Sequence, residues 1–143
     1  MARDSNGNYL DFNLDGNPDL AVSNSVGNYV TVMLGDGAGG FKVQVQAKYG
    51  NKSTHPSVGA ADVNSDGKVD LVLANDNGDY ITVLLGNGNG TFSKPYNFKI
   101  ADLRARQPSA IAFGDFNNDG GVDIAIANGD SNNVSVLLKN LMI

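Results

Sequence analysis

Residues 62–70 read Asp62-Val63-Asn64-Ser65-Asp66-Gly67-Lys68-Val69-Asp70, and the same pattern occurs twice more, over residues 11–19 and 115–123. The three copies begin 51 and then 53 residues apart. Each has oxygen-bearing side chains at positions 1, 3, 5 and 9 and a glycine at position 6. An intact pattern at near-constant spacing indicates an internal repeat.

The oxygen positions of this pattern suit a hard divalent cation. Ca²⁺ takes six to eight oxygen ligands at roughly 2.3–2.6 Å, and the chain must turn sharply to bring them together. Because side-chain direction alternates along the loop, the side chains at positions 1, 3 and 5 point inward. The glycine at position 6 makes the turn, and position 7 can offer its main-chain carbonyl as a ligand. A single copy could be a metal-free turn, since Asp, Asn and Gly form such turns readily. Three copies, each gathering three mutually repelling aspartates, favour metal binding.

Composition predicts one all-β domain over residues 1–143. The chain is 41% hydrophobic, which supports a globular core, and all fifteen acidic residues are aspartate. Glutamate favours helices, whereas Asp, Asn and Gly favour turns. We therefore expect strands joined by tight turns.

Several functional classes find no support in the sequence. The net charge is −5 without a Lys/Arg cluster, so no nucleic-acid partner is expected. Without cysteine there is no disulfide framework and no cysteine nucleophile. No apolar run approaches the ~20 residues that cross a membrane, so membrane insertion is not expected. Calcium loops of this kind are most useful outside the cell, so we expect an extracellular or cell-surface protein. Residues 1–4 begin no signal peptide, so either a leader lies outside the given chain or the protein is cytosolic.

The middle repeat shows the order of elements most clearly. A strand over residues 56–61 precedes the acidic loop, strands follow over 71–75 and 80–85, and a glycine-rich turn at 86–90 leads to a strand starting at Thr91. Residues 97–108 then connect to the next repeat. In the first repeat, Phe41, Val43, Val45 and Ala47 alternate with polar residues, which predicts that all four pack in the core. The first repeat has a poor first strand, and the third stops before its last.

This pattern, with the Leu84-Leu85-Gly86-Asn87-Gly88 turn, resembles the FG-GAP/VCBS repeat of integrin α-subunit heads and propeller lectins. The resemblance implies β-propeller blades of four antiparallel strands, about three in number and incomplete, at approximately 7–50, 55–98 and 107–143. It also implies up to three Ca²⁺ ions. The implied ligands are Asp11, Asn13, Asp15, Asn17 and Asp19; Asp62, Asn64, Asp66, Lys68 and Asp70; and Asp115, Asn117, Asp119, Gly121 and Asp123.

Three blades are fewer than the four to eight of closed propellers. The chain could be a fragment, two copies could close a six-bladed ring, or copies could join head to tail. The missing first and last strands are complementary, so a neighbouring copy could supply a strand. We therefore expect self-association through open blade edges into an oligomer or filament, with truncation as the alternative.

For function, the sequence predicts a calcium-binding, non-catalytic structural or adhesion module, with a glycan or surface protein as a possible further partner. The alternatives are a lectin-like fragment and an accessory part of a calcium-dependent polysaccharide-active enzyme. His55, the only histidine, reads as a solvated loop residue, and no nucleophile motif occurs. If the chain were part of a polysaccharide lyase, its catalytic base would have to come from the connections, which contain Tyr49, Lys94, Tyr96, Arg104 and Arg106. A glycan site needs exposed aromatic residues, but Tyr29 and Tyr80 should pack in strands. Glycosylation sequons at Asn51, Asn89 and Asn133 are about as frequent as chance predicts.

Overall fold

Ten β-strands form three antiparallel sheets in the described part of this computed structural model, which comprises residue 7 and residues 9–50, 56–100 and 107–139. Four residues singled out in the sequence, Asn51, His55, Arg104 and Arg106, lie outside these ranges.

The strands follow one another in each sheet as a simple meander. Blade 1 contains β1 (Leu20–Ser23), β2 (Tyr29–Gly35) and β3 (Phe41–Lys48). Blade 2 contains β4 (Ser57–Ala61), β5 (Asp70–Ala74), β6 (Tyr80–Leu84) and β7 (Tyr96–Lys99). Blade 3 contains β8 (Pro108–Gly114), β9 (Asp123–Asn128) and β10 (Asn133–Leu137). The sheet orders are β1-β2-β3, β4-β5-β6-β7 and β10-β9-β8, so the predicted all-β, incomplete propeller-like architecture is confirmed.

The fourth strand of blade 2 differs from the prediction. We expected it to start at Thr91, but β7 spans Tyr96–Lys99, and Phe92 makes only an isolated bridge with Gly86. Ser93 pairs locally, since its amide donates to the Leu85 carbonyl at 2.8 Å. Pro95 then has no N–H to donate to a ladder, so regular pairing with β6 resumes at Tyr96.

The core lies between the sheets, in two clusters on opposite faces of blade 2. Leu71 and Leu73 of β5 belong to the cluster shared with blade 1, and Val72 belongs to the cluster shared with blade 3. Because side chains alternate along a strand, coverage on both faces leaves every residue of β5 buried. β1, the equivalent strand of blade 1, has exposed residues at alternate positions.

Two aromatic residues differ from their predicted environments. Tyr49, expected to be half-buried in a connection, is fully buried between blades 1 and 2. Phe41 was predicted to be in the core together with Val43, Val45 and Ala47, yet it is 42% exposed while Val45 and Ala47 pack in the cluster. The side chain of Val43 lies outside the described part of the structure. Phe41 is the first residue of β3, at a position that a preceding blade would cover, and the described residues contain no such blade.

No helix in the described ranges is long and apolar enough to cross a membrane.

The two-sided burial of blade 2 predicts unequal effects at equivalent positions. Leu71 and Leu20 each follow the ninth residue of their loop, but Leu71 is covered by a neighbouring blade and Leu20 is 38% exposed. Leu71→Ala should lower the free energy of unfolding by about 2–5 kcal/mol, because it leaves a cavity between blades. Leu20→Ala should cost about 1 kcal/mol or less. Urea denaturation measures both, and equal losses would contradict this packing.

Candidate metal centres

Each acidic loop directly precedes the second strand of a blade unit, and the three loops share one backbone conformation. In every copy, position 6 is a glycine with a left-handed φ angle. The residue at position 4, which is not a glycine, also has a left-handed φ angle. A β-carbon added to the position-6 glycines would contact nothing within 4 Å, so glycine is required there by conformation and not by space. The φ angles are 60°, 61° and 58° at Leu14, Ser65 and Asn118, and 84°, 82° and 79° at Gly16, Gly67 and Gly120.

Hydrogen bonds direct the side chains at positions 1 and 3 toward the same point inside the loop. In the second loop, the Asp66 amide donates to Asp62 Oδ1 at 3.1 Å and to Asn64 Oδ1 at 3.0 Å. The Gly67 amide donates to Asp62 Oδ2 at 2.8 Å. The equivalent bonds occur in the first and third loops. The structure thus brings these predicted ligands together in all three copies.

The position-5 carboxylate also takes part in each loop, but its second partner varies. Asp66 Oδ1 accepts from the Lys68 amide at 2.9 Å, and Oδ2 accepts from Lys68 Nζ at 3.1 Å. In the first loop the second donor is Asn13 Nδ2, 2.8 Å from Asp15 Oδ2. That bond, together with the Asn17 amide, lowers the pKa of Asp15. Burial raises the pKa of Asp66, but the hydrogen bonds from Lys68 and Asn64 and the charge of Lys68 together outweigh it, so the pKa is lowered.

The position-9 aspartates behave differently, because each is buried and bridges two distant parts of its blade. Asp70 Oδ2 accepts from the Val63 amide at 3.0 Å, and Oδ1 accepts from the Gly86 amide, sixteen residues along the chain, at 2.8 Å. Position 9 therefore connects loop position 2 to the end of the third strand. Asp19 bridges the amides of Phe12 and Gly35 in the same way, and Asp123 bridges those of Phe116 and Lys139.

This bridging role was missed by sequence reasoning, which treated position 9 only as a ligand. The sequence does contain a pattern that could have indicated the bridge. Leu34-Gly35 in the first unit and Leu85-Gly86 in the second end the third strand, and they lie at the same distance after Asp19 and Asp70. In both units the glycine is also needed for space. A β-carbon at Gly86 would lie 2.2 Å from the Val69 carbonyl oxygen, and one at Gly35 would lie 2.1 Å from that of Pro18.

Burial raises the pKa of Asp70 to about 6, and the charges of Asp66 and Asp62 add to this, while the two amide bonds oppose it. The pKa of Asp19 is raised for the same reasons, with burial as the largest. Asp19 and Asp70 therefore sit in a less polar, more negative environment than Asp15 and Asp66.

Within the described ranges, no three His, Cys, Asp or Glu side chains gather in an arrangement that could hold a metal ion. Position 9 bonds into the blade and position 3 is an asparagine, so the carboxylates at the centre of each loop are those of positions 1 and 5. The donors in each loop are nevertheless all oxygens, which is the set that Ca²⁺ takes. The side chains at positions 1, 3 and 5 are the ones that fit such an ion, and the carbonyls of Asn17, Lys68 and Gly121 remain predicted ligands.

Among the described residues, the other candidates do not form a recognisable site. The Tyr49 hydroxyl donates to the Asn24 carbonyl at 3.4 Å from within the core, and Lys94 and Tyr96 are exposed. Tyr29 and Tyr80 begin strands, as predicted, and their rings lie over Gly27 and Gly78, where a β-carbon would come within 2.2 Å. Of the sequon residues that are described, Asn89 is exposed in the glycine-rich turn and Asn133 begins β10.

The raised pKa of Asp70 predicts a specific pH dependence in metal-free buffer. The folded state binds the Asp70 proton more tightly than the unfolded state does, so stability from this group falls as pH rises from the ordinary value of 3.8 to about 6. Asp70→Asn removes the titrating group. The free energy of unfolding of the wild type, relative to Asp70→Asn, should therefore decrease across that window. Denaturant titrations at several pH values measure it, and parallel profiles for the two proteins would refute the assignment.

Comparison with known proteins agrees with this repeated architecture. The model of the FG-GAP-like repeat matches residues 11–73 and, overlapping them, residues 62–126. No significant match is found among curated proteins or among solved structures. The matched segments begin at the first and second acidic loops and together span most of the chain. The protein therefore belongs to the FG-GAP-like repeat family.

Proposed function

We propose that this chain is a calcium-binding, non-catalytic structural module that works outside the cell, in adhesion or assembly. The observation that carries the proposal is the common conformation of the three loops. Positions 1 and 3 of each loop direct oxygens to one point, and the loop precedes a core strand.

Electrostatics supports a cation in these loops. Each loop holds three aspartates within nine residues, and the charges of Asp62 and Asp66 raise the pKa of Asp70. Like charges held this close disfavour ionisation, and an opposite charge among them reverses the effect. A divalent cation would therefore stabilise the ionised loop and, with it, the folded chain.

Calcium would act on the blade through the position-9 aspartate. When bound, the ion supplies a fixed positive charge at the loop. The side chains at positions 1, 3 and 5 would hold it and fix the loop backbone, including the position-2 amide. Because that amide and the end of the third strand are joined by Asp70, order in the loop extends to three of the four strands of blade 2. The ion would thus be a structural clamp.

Three further observations support the extracellular location, the non-catalytic role and the part in assembly. Loops built this way suit the high calcium concentration outside cells, where weak sites are filled. Repeats of this family are generally non-catalytic. The incompletely covered end blades favour a module that associates with other blades.

The calcium role predicts a stability gain that depends on individual loops. Saturation of one site at 100 times its Kd adds about 2.7 kcal/mol to the free energy of unfolding. Asp66→Asn keeps an acceptor for the Lys68 amide but removes the charge, so it should abolish the contribution of the second loop. Asp119→Asn should do the same in the third loop. Thermal melting with calcium and with chelator measures the effect.

Asp79→Asn is the matched control, because Asp79 is an exposed partner of Lys99 outside the loops. It should keep the full calcium-dependent increase in melting temperature. If calcium fails to stabilise the wild type, or if all three variants respond like the wild type, the proposed role is wrong.

A further inference from the structure

Blades 1 and 3 each present one sheet face that no described residue covers. On blade 3 this face is built from Ala110, Ala112, Ala125, Ala127, Val134 and Val136, which we call the blade 3 open face. Strand register aligns Ala110, Ala127 and Val134 in one row and Ala112, Ala125 and Val136 in the next. The face carries no charge, Val134 and Val136 are exposed, and a shallow depression of about 220 Å³ lies over it.

The same face of blade 2 is covered in this structure. Its equivalents of Ala125, Val134 and Val136 are Val72, Ile81 and Val83, from the repeat spacing. These three side chains are buried against Ile124 and Ile126 of blade 3. The blade 3 open face is therefore a surface of the kind that receives a following blade.

Blade 1 presents the opposite half of that interface. Leu20, Val22 and Met33, which we call the blade 1 open face, occupy the positions of Leu71, Leu73 and Leu84 in blade 2. In blade 2 these three leucines are buried against blade 1. Leu20 and Val22 are exposed, with nothing in the described ranges to cover them.

An aromatic pair shows the same relation. Phe12 of the first loop packs edge to face on Phe92 of blade 2, with ring centroids 5.5 Å apart, and the Gly90 amide donates to the Phe12 carbonyl at 2.8 Å. The equivalents of Phe12 and Phe92 at the open ends are Phe116 and Phe41. Phe12 is 2% exposed, whereas Phe116 and Phe41 are 51% and 42% exposed. Phe116 thus corresponds to the first ring of this pair and Phe41 to the second, and the two residues lie at opposite ends of the described chain.

We propose that the blade 3 open face binds the blade 1 open face of a second copy of this chain, head to tail, with Phe116 of one copy against Phe41 of the next. The occupant is a second copy because the two open faces are the two halves of an interface that this chain already forms between its own blades. Such a contact is heterologous, and it closes into a ring or extends as a filament. The proposal rests on the structural-module role above and not on calcium binding.

The experiment uses one substitution on each face. Val134→Lys blocks the blade 3 open face, and Val22→Lys blocks the blade 1 open face. Val26→Lys is the matched control, since Val26 is an exposed valine in the β1–β2 turn, outside both faces. Sedimentation velocity in saturating calcium measures the mass of each protein and of mixtures.

We expect the wild type and Val26→Lys to assemble and each blocked variant to be monomeric. An equimolar mixture of Val134→Lys and Val22→Lys should form a 1:1 heterodimer, because each supplies the face that the other has lost. Phe41→Ala and Phe116→Ala change no charge and should each weaken assembly about tenfold or more.

A monomeric wild type, or a blocked variant that assembles like the wild type, would overturn the proposal. Melting curves of the same samples separate the two hypotheses. A monomer that calcium stabilises contradicts only the head-to-tail contact. An assembled protein that calcium does not stabilise contradicts only the calcium role.

Discussion

A buried carboxylate with two main-chain donors is the interaction on which each blade depends. Burying a charge is costly unless it is hydrogen-bonded, and the position-9 aspartates meet this condition by bridging a loop amide and an amide at the end of the third strand. Loss of either donor would leave a charge in an apolar environment. The bridge therefore fixes the loop relative to the strand, and it is repeated at Asp19, Asp70 and Asp123 in all three blades.

A second constraint is that a blade has two apolar faces. Neighbouring blades cover both faces of blade 2, and its strand β5 is buried at every position. Blades 1 and 3 have one covered face each, so the same repeat leaves apolar surface at both ends of the chain. Exposed apolar patches of this kind mark interaction sites. The loops and the faces thus have separate roles: the loops order each blade, and the faces determine what each blade packs against.

The acidic loops, the strand order and the all-β class could be predicted from sequence because turn chemistry and alternation are local properties. The position of β7 could not, because a serine pairing and Pro95 delay the ladder after Phe92. Phe41 read as core because alternation does not reveal whether a neighbouring blade is present. The bridging role of Asp70 was missed because an aspartate that coordinates a cation and one that accepts backbone amides look identical in sequence.

We propose that the three loops are calcium sites joined to the blades by their position-9 aspartates. Isothermal titration calorimetry of the metal-free chain with Ca²⁺ tests it most directly, because it counts ions without reference to stability or assembly. The account predicts three ions per chain, since the three loops share one conformation and one donor set. A chain that takes up less than one ion at millimolar calcium would contradict it, and the loops would then be metal-free turns held by their own hydrogen bonds.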